Sequence, residues 1–168
     1  MYRPQPDEFP PFYAGYIQAV NDDVITELEQ QAIEIPDFIK AIPLEKGEFA
    51  YADGKWIVKE LLGHVIDTER IMIYRATCFA RNDKNLLPGF EENDYVDNAH
   101  FSNRSLESFA DEFSLLRRAN LYFIKSLSND ELKRFGTANG GLISVKALLF
   151  VIAGHVKHHK KILIERYL

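Results

Sequence analysis

The amino-acid sequence predicts an all-α fold, a four-helix bundle with a long crossover connection, on three observations. Four long segments repeat their apolar residues at steps of three and four, which is the spacing of one face of a helix. Few segments alternate apolar and polar residues in the way a half-buried strand does. The 168 residues fit one domain, 1–168, and contain no internal repeat and no composition typical of a linker.

The first half of the chain contains two of the helical segments, separated by a loop. The first segment covers residues 11–42, and we expect a break near residues 21–23 and a bend at Pro36. Residues 43–55 include proline, glycine and aspartate, which predict a loop. The second helix is predicted over residues 56–81, where the apolar residues form a single stripe.

A longer connection, residues 82–105, separates the second helix from the third. It contains proline, glycine and a cluster of acidic residues, and connections of this length inside a compact domain are often functional. The third helix is predicted over residues 106–127, with large apolar residues spaced as a core-facing stripe.

The last part of the chain contains two signals for the start of a helix. Residues 128–131 form a capping-box pattern, which predicts a short helical turn. A glycine pair predicts a loop over residues 137–141. Ser144 is a good N-cap for the last helix, predicted over residues 145–167.

Composition and charge argue against several classes of function. The net charge of −5 argues against a nucleic-acid binder, which usually carries a basic surface. The first residues lack the apolar run of a signal peptide, and the longest apolar stretch, residues 147–153, is too short to span a bilayer. Cys78 is the sole cysteine, so no internal disulfide forms. We therefore expect a cytoplasmic protein that binds neither nucleic acid nor a membrane.

Three of the five histidines, His155, His158 and His159, lie close together near the end of the chain. Residues four apart project from one face of a helix, and two imidazoles there can bind one ion. His158 lies near the same face, so the spacing alone allows two pairs. The apolar stripe of the last helix selects His155 and His159, because both occupy inward positions while His158 falls on a more polar edge.

His64 occupies the same kind of position in the second helix. Buried imidazoles without partners cost about 1–3 kcal/mol each, so three in one core call for a shared ligand. A divalent transition metal is such a ligand, and three histidines leave one coordination position open, as in catalytic sites. Imidazole suits zinc, nickel, copper or iron, of which we expect zinc or nickel. The alternative is a metal-free bundle in which these histidines are ordinary core residues.

Two segments resemble signatures of the DinB/YfiT-like superfamily. Residues 56–69 read WIVKELLGHVIDTE and resemble its second helix, and residues 154–163 read GHVKHHKKIL and resemble its last helix. The order of the segments and the chain length agree as well. The resemblance implies a four-helix bundle that forms a homodimer. It also implies one metal bound by the trio that the stripes select, His64, His155 and His159.

The same resemblance implies an activity. Members include metal-dependent hydrolases and, in some branches, S-transferases that use bacillithiol, mycothiol or glutathione. We therefore expect an enzyme that attacks a small electrophilic substrate with water or a cellular thiol. A non-catalytic metal-binding module, acting in a stress response or through dimerisation, is the second hypothesis. Gly154 and Ile162 stand where the transferases tend to carry tryptophan and histidine, which weakens the thiol-transfer interpretation.

Four further residues are candidates for roles near the metal. Asp67 follows His64 by about one turn, and it either orients His64, acts as a general base or is a solvated helix acid. Arg75 continues the inward stripe and either binds an anionic substrate group or forms a structural ion pair. Asn120 interrupts the core face of the third helix, and Tyr95 lies on the long connection. Both are candidates for substrate binding, with an internal amide and a packing aromatic as the alternatives.

Overall fold

The computed structural model describes residues 2–168, and within them four long helices form the predicted bundle. The helices and strands are α1 (Ala14–Gln18), α2 (Val24–Lys40), α3 (Val58–Ala80), α4 (Glu92–Ala99), α5 (Leu106–Ser126), α6 (Asn129–Leu132), β1 (Phe135–Ala138), β2 (Gly141–Ser144) and α7 (Val145–Ile162). In the bundle, α2 packs mainly against α5, and α3 packs against α7. The chain crosses from α3 to α5 through the connection that holds α4, so the predicted fold class is confirmed.

Side-chain caps determine where three of the four bundle helices begin. Asp23, Ser105 and Ser144 each accept a hydrogen bond from a backbone N–H in the first turn of α2, α5 and α7. The predicted break in the first helical segment is confirmed, because α1 and α2 are separate helices. Pro36 lies inside α2 without ending it.

Three segments differ in detail from the sequence prediction. The loop predicted over residues 137–141 is wrong in extent, because residues 137 and 138 end β1, residue 141 begins β2, and only residues 139 and 140 form the turn of this antiparallel hairpin. Asn139 and Gly140 adopt φ of 51° and 71°, and this Asn-Gly combination favours a type I′ turn. The long connection contains α4, so it is not irregular throughout. The last α-helix ends at Ile162 and continues as a π-helical turn to Tyr167.

The central helix of the molecule is α7, in which every residue from 145 to 156 is buried. Even Lys146 is enclosed, and its ammonium group pairs with Glu8 at 2.9 Å. Gly154 approaches α1 so closely that a Cβ atom at this position would collide with the backbone carbonyl of Tyr16. Despite the apolar character of α7, none of the described helices has the length and hydropathy that crossing a membrane requires.

Candidate metal centre

Three histidines from two helices meet inside the bundle. His64 on α3 and the pair His155 and His159 on α7 are 4%, 6% and 9% exposed. The Nε2 atom of His155 lies 3.0 Å from Nε2 of His64 and 3.0 Å from Nε2 of His159. One nitrogen from each ring lies within 4.8 Å of the other two. The structure thus brings together the trio that the helix stripes select.

Burial keeps these imidazoles neutral. Desolvation lowers the pKa of His64 to about 4 and the pKa of His159 to about 3. It lowers the pKa of His155 well below its usual range, and the neighbouring imidazoles lower it further. Neutral imidazole is the form that binds a metal ion, so the site presents its ligands in the required state.

The contacts among the three Nε2 atoms cannot all be hydrogen bonds. Nε2 of a neutral imidazole either donates one proton or offers one lone pair, so in His155 it serves only one of its two neighbours. A cation between the three nitrogens accepts all three lone pairs. Nitrogens bound to tetrahedral zinc at about 2.0–2.1 Å lie roughly 3.3 Å apart, close to the 3.0 Å of the two contacts made by His155. The donor set therefore fits a divalent metal.

The packing of the helices explains which histidines face inward. His155 and His159 lie one turn apart on the side of α7 that contacts α3. His158 lies beside them in sequence, but it is exposed and its ring lies 5.3 Å from the ring of Tyr16. The inward pair indicated by the apolar stripe is the buried pair, and His158 lies at the edge.

Aromatic rings cover two sides of the cluster. The ring of Trp56, just before α3, lies 4.8 Å from the ring of His64 between centroids. The ring of Tyr16 on α1 meets His155 edge-on at 5.5 Å. Nδ1 of His159 is buried and has no hydrogen-bond partner among residues 2–168, so the carbonyl or carboxylate that often orients a ligand histidine is not observed there.

A cavity of about 230 Å³ adjoins the cluster on the side of His159 and Trp56. The loop before α3, the start of α4 and the end of α7 form its wall. The polar and aromatic residues of the wall are Tyr51, Lys55, Trp56, Asn93, His159 and Tyr167. A small molecule can therefore approach the histidines from this side, and the long connection contributes to the site through α4.

Two of the other candidate residues are engaged in structural contacts. The Asp67 carboxylate accepts a hydrogen bond from Arg70 at 3.0 Å, and Arg70 also pairs with Glu112 across α3 and α5. Arg75 is buried and donates to the Pro88 carbonyl at 2.8 Å, which ties the long connection to α3. In the described part of the chain, neither side chain forms a hydrogen bond with the three histidines. Asp67 is therefore paired with an arginine rather than solvated, and Arg75 is bound to a backbone carbonyl rather than to the acidic partner of an ion pair.

The remaining two candidates also lie outside the cluster. Asn120 is an internal amide that donates to a carboxylate oxygen of Glu69 at 3.0 Å. Tyr95 is 47% exposed, and its ring packs against that of Phe90 at 5.1 Å. The residue of α4 that reaches the cavity is Asn93, which no sequence pattern predicts as a site residue.

A buried ion pair that the sequence does not predict joins α3 and α5. The guanidinium of Arg117 is fully buried and donates to both carboxylate oxygens of Glu69 at 2.8 Å. It also donates to the side-chain oxygen of Gln31 at 2.8 Å. The spacing of the residues could have indicated this buried charge, because Arg117 lies four residues after Phe113 and three before Asn120, on the core face of α5.

The fold and the site together define a class of protein: a four-helix bundle with a buried three-histidine cluster that fits a divalent metal. The family model of the DinB superfamily matches residues 27–163. The chain belongs to the DinB superfamily, as the two helix signatures indicate.

Among solved structures, YfiT from Bacillus subtilis has a similar fold, with a TM-score of 0.71 and 16% sequence identity. The similarity covers 82% of this chain and 80% of that one. YfiT is described as a probable metal-dependent hydrolase with an unusual four-helix bundle topology. At this level of identity the likeness concerns the fold alone. No curated protein sequence matches the chain.

Proposed function

We propose that this protein is a metal-dependent enzyme in which His64, His155 and His159 bind one divalent transition metal, zinc or nickel. The observation that carries the proposal is the arrangement of three Nε2 atoms that face one another inside the core. Membership of the DinB superfamily and the description of YfiT as a probable metal-dependent hydrolase support it.

The donor set favours a catalytic site over a purely structural one. Structural zinc sites have four protein ligands, whereas catalytic sites keep a position open for water or substrate. Within residues 2–168 the cluster contains three ligand-type side chains, and a cavity of about 230 Å³ adjoins it. A non-catalytic metal-binding module has no need of such a cavity, so we place that function second.

The reaction that we propose is attack on a small electrophilic substrate, by water or by a thiol. A divalent metal in such a site lowers the pKa of a bound water to about 7 and favours the thiolate form of a thiol. The imidazoles hold the ion, while the rings of Trp56 and Tyr16 limit the access of bulk water. Hydrolysis is the better supported reaction, because Gly154 and Ile162 stand where the resembled thiol transferases carry tryptophan and histidine.

The metal content of untagged protein tests the proposed centre. Elemental analysis of the wild-type protein should give about one divalent metal per chain. His155→Ala should lose it, because Nε2 of His155 contacts both other nitrogens. His158→Ala is the matched control, since this exposed histidine of the same helix should leave the metal content unchanged. Metal-free wild-type protein, or equal metal in His155→Ala, would rule out the centre.

A panel of reactions separates an enzyme from a binding module. Metal-loaded and chelator-treated protein are compared on activated esters and amides, and on thiol conjugation with bacillithiol, mycothiol and glutathione. A rate that requires added metal and is absent in His155→Ala supports the enzyme. A protein that holds its metal but shows no rate on the whole panel favours the non-catalytic module.

A further inference from the structure

We propose that the cavity beside the three histidines binds a small organic anion, with Lys55 holding its carboxylate and aromatic rings contacting its planar body. This assignment rests on the proposed function, because it names the substrate class of the same site. Protein side chains form the wall of the cavity, so ligand binding can be measured both with and without metal.

The walls of the cavity are aromatic and held in place. The ring of Tyr167 is buried and lies 5.0 Å from the ring of Tyr51, at an interplanar angle of 85°. Its hydroxyl donates to the backbone carbonyl of Trp56 at 2.8 Å. These contacts hold the rings of Tyr51 and Tyr167 together and tie Tyr167 to the backbone at Trp56, and all three residues line one space. Aromatic side chains in a cavity wall favour a ligand with a planar apolar body.

Lys55 gives the cavity its charge. It lines the wall and forms no ion pair with any residue from 2 to 168. The neighbouring lysines are engaged, since Lys59 pairs with Glu48 and Lys46 donates to the Tyr167 carbonyl at 2.9 Å. No described acidic residue lines the cavity. An unpaired ammonium group in a wall without carboxylates favours an anionic ligand.

The size and polar groups of the cavity define the anion further. At about 230 Å³ it is smaller than the roughly 300–1,000 Å³ of pockets for drug-sized molecules, so it suits a small ligand. One ammonium group and the amide of Asn93 match a carboxylate better than a phosphate, which proteins bind with several cations or backbone N–H groups. Lys55 and His159 line the same cavity, so one ligand can contact both residues.

Tryptophan fluorescence measures occupancy of this cavity directly, because Trp56 is the only tryptophan and lies in its wall. Metal-free and zinc-loaded protein are each titrated with phenylacetate, neutral phenylacetamide, cationic phenethylamine and acetate. Phenylacetate should give a saturable change. Phenylacetamide lacks the charge and acetate lacks the ring, so both should bind at least about threefold more weakly. Phenethylamine should not bind, because its charge repels Lys55.

Matched variants identify the residue that holds the carboxylate. Lys55→Gln should weaken phenylacetate binding about threefold to fivefold, which is the contribution of one exposed charge pair. Lys55→Arg keeps the charge and should retain binding. Lys84→Gln is the control, because Lys84 is also exposed but lies outside the cavity wall.

Amine modification gives a second readout that depends on neither fluorescence nor metal. Phenylacetate should slow acetylation of Lys55 by acetic anhydride, located by mass spectrometry, and should leave Lys84 unprotected. Equal binding of phenylacetate and phenylacetamide, unchanged binding by Lys55→Gln, or no response in either form of the protein overturns the assignment.

Metal analysis of the same samples distinguishes this assignment from the proposed function. Protein that binds phenylacetate through Lys55 but never binds metal retains the cavity assignment and overturns the metal centre. Protein that binds metal but shows no Lys55-dependent binding of phenylacetate retains the metal centre and overturns the cavity assignment.

Discussion

The indole ring of Trp56 lies against the imidazole of His64, with 4.8 Å between ring centroids and 45° between ring planes. Because Trp56 is the only tryptophan, its fluorescence reports on a ligand of the proposed metal. Nickel or copper added to metal-free protein should quench it, since both ions have open d shells, and the quenching should saturate at about one metal per chain. Zinc has a filled d shell and should change the fluorescence less.

Two histidine variants serve as controls for this titration. His64→Ala should abolish the saturable phase, and His158→Ala should leave it unchanged. Quenching that never saturates in the wild-type protein, or that is equally strong in His64→Ala, would show that the metal does not bind beside Trp56.

The metal-free protein should lose stability in mild acid, because its three core imidazoles are buried as neutral rings. Their pKa values in the folded state lie below the unfolded value of about 6.5, at about 4 for His64 and about 3 for His159. The free energy of unfolding therefore has its full value above about pH 6.5. It falls as the pH decreases from about 6.5 to the folded-state pKa values, because only the unfolded chain takes up these protons. Within this interval we expect the free energy of unfolding to decline by on the order of 1 kcal/mol per pH unit for each histidine.

Urea unfolding in the presence of a chelator, from about pH 7 to about pH 5, measures this decline. His64→Gln replaces one titrating ring by an amide that does not titrate, so its free energy of unfolding should depend less on pH. A wild-type free energy of unfolding that stays constant over this interval would mean that the imidazoles are accessible to protons in the folded state.

The elements that the sequence predicts are those whose structure is determined locally. The four bundle helices carry continuous apolar stripes, and caps such as Ser144 mark where they begin. The sequence does not predict α4, because Val96 is its one buried residue and no apolar period marks the helix. It does not predict the hairpin because the strands have only four residues each, although Asn139 and Gly140 are a known turn signal.

The site also combines residues that local sequence patterns locate with residues that only tertiary packing brings there. Spacing along one helix and position in an apolar stripe are properties of the sequence, so the three histidines could be identified from it. Trp56 and Asn93 reach the cavity from a loop and from α4, and only tertiary packing places them there. Asp67 was a candidate because it is near His64 in sequence, but its carboxylate turns toward Arg70 at the contact with α5.

Glu69→Ala should destabilise the protein far more than Asp67→Ala, although both acids lie on α3. Glu69 and Arg117 are 2% and 0% exposed, and removing one partner of a buried pair leaves an unpaired charge at a cost of about 3–5 kcal/mol. Asp67 and Arg70 form a partly exposed pair, worth about 0–1 kcal/mol. Chemical unfolding of the two variants gives both values, and similar losses would contradict the burial of the Glu69 pair.

Gly154→Ala should destabilise the protein and weaken metal binding. A Cβ atom at this position collides with the backbone carbonyl of Tyr16, which moves only if α1 moves. Overpacking of this kind costs about 1–3 kcal/mol. Because the ring of Tyr16 also contacts His155, a shift of α1 disturbs a metal ligand as well as the core.

Gly15→Ala is the matched control, because Gly15 lies in α1 and a Cβ atom there meets open space. It should raise the free energy of unfolding by roughly 0.5–1 kcal/mol, since alanine favours a helix more than glycine does. The contact at Gly154 also explains the departure from the thiol-transferase pattern, because α1 leaves no room for a tryptophan side chain there. Unfolding curves and metal titrations of both variants provide the measurement. If Gly154→Ala proved as stable as Gly15→Ala, α1 would be free to move at little cost, and packing would no longer explain the glycine.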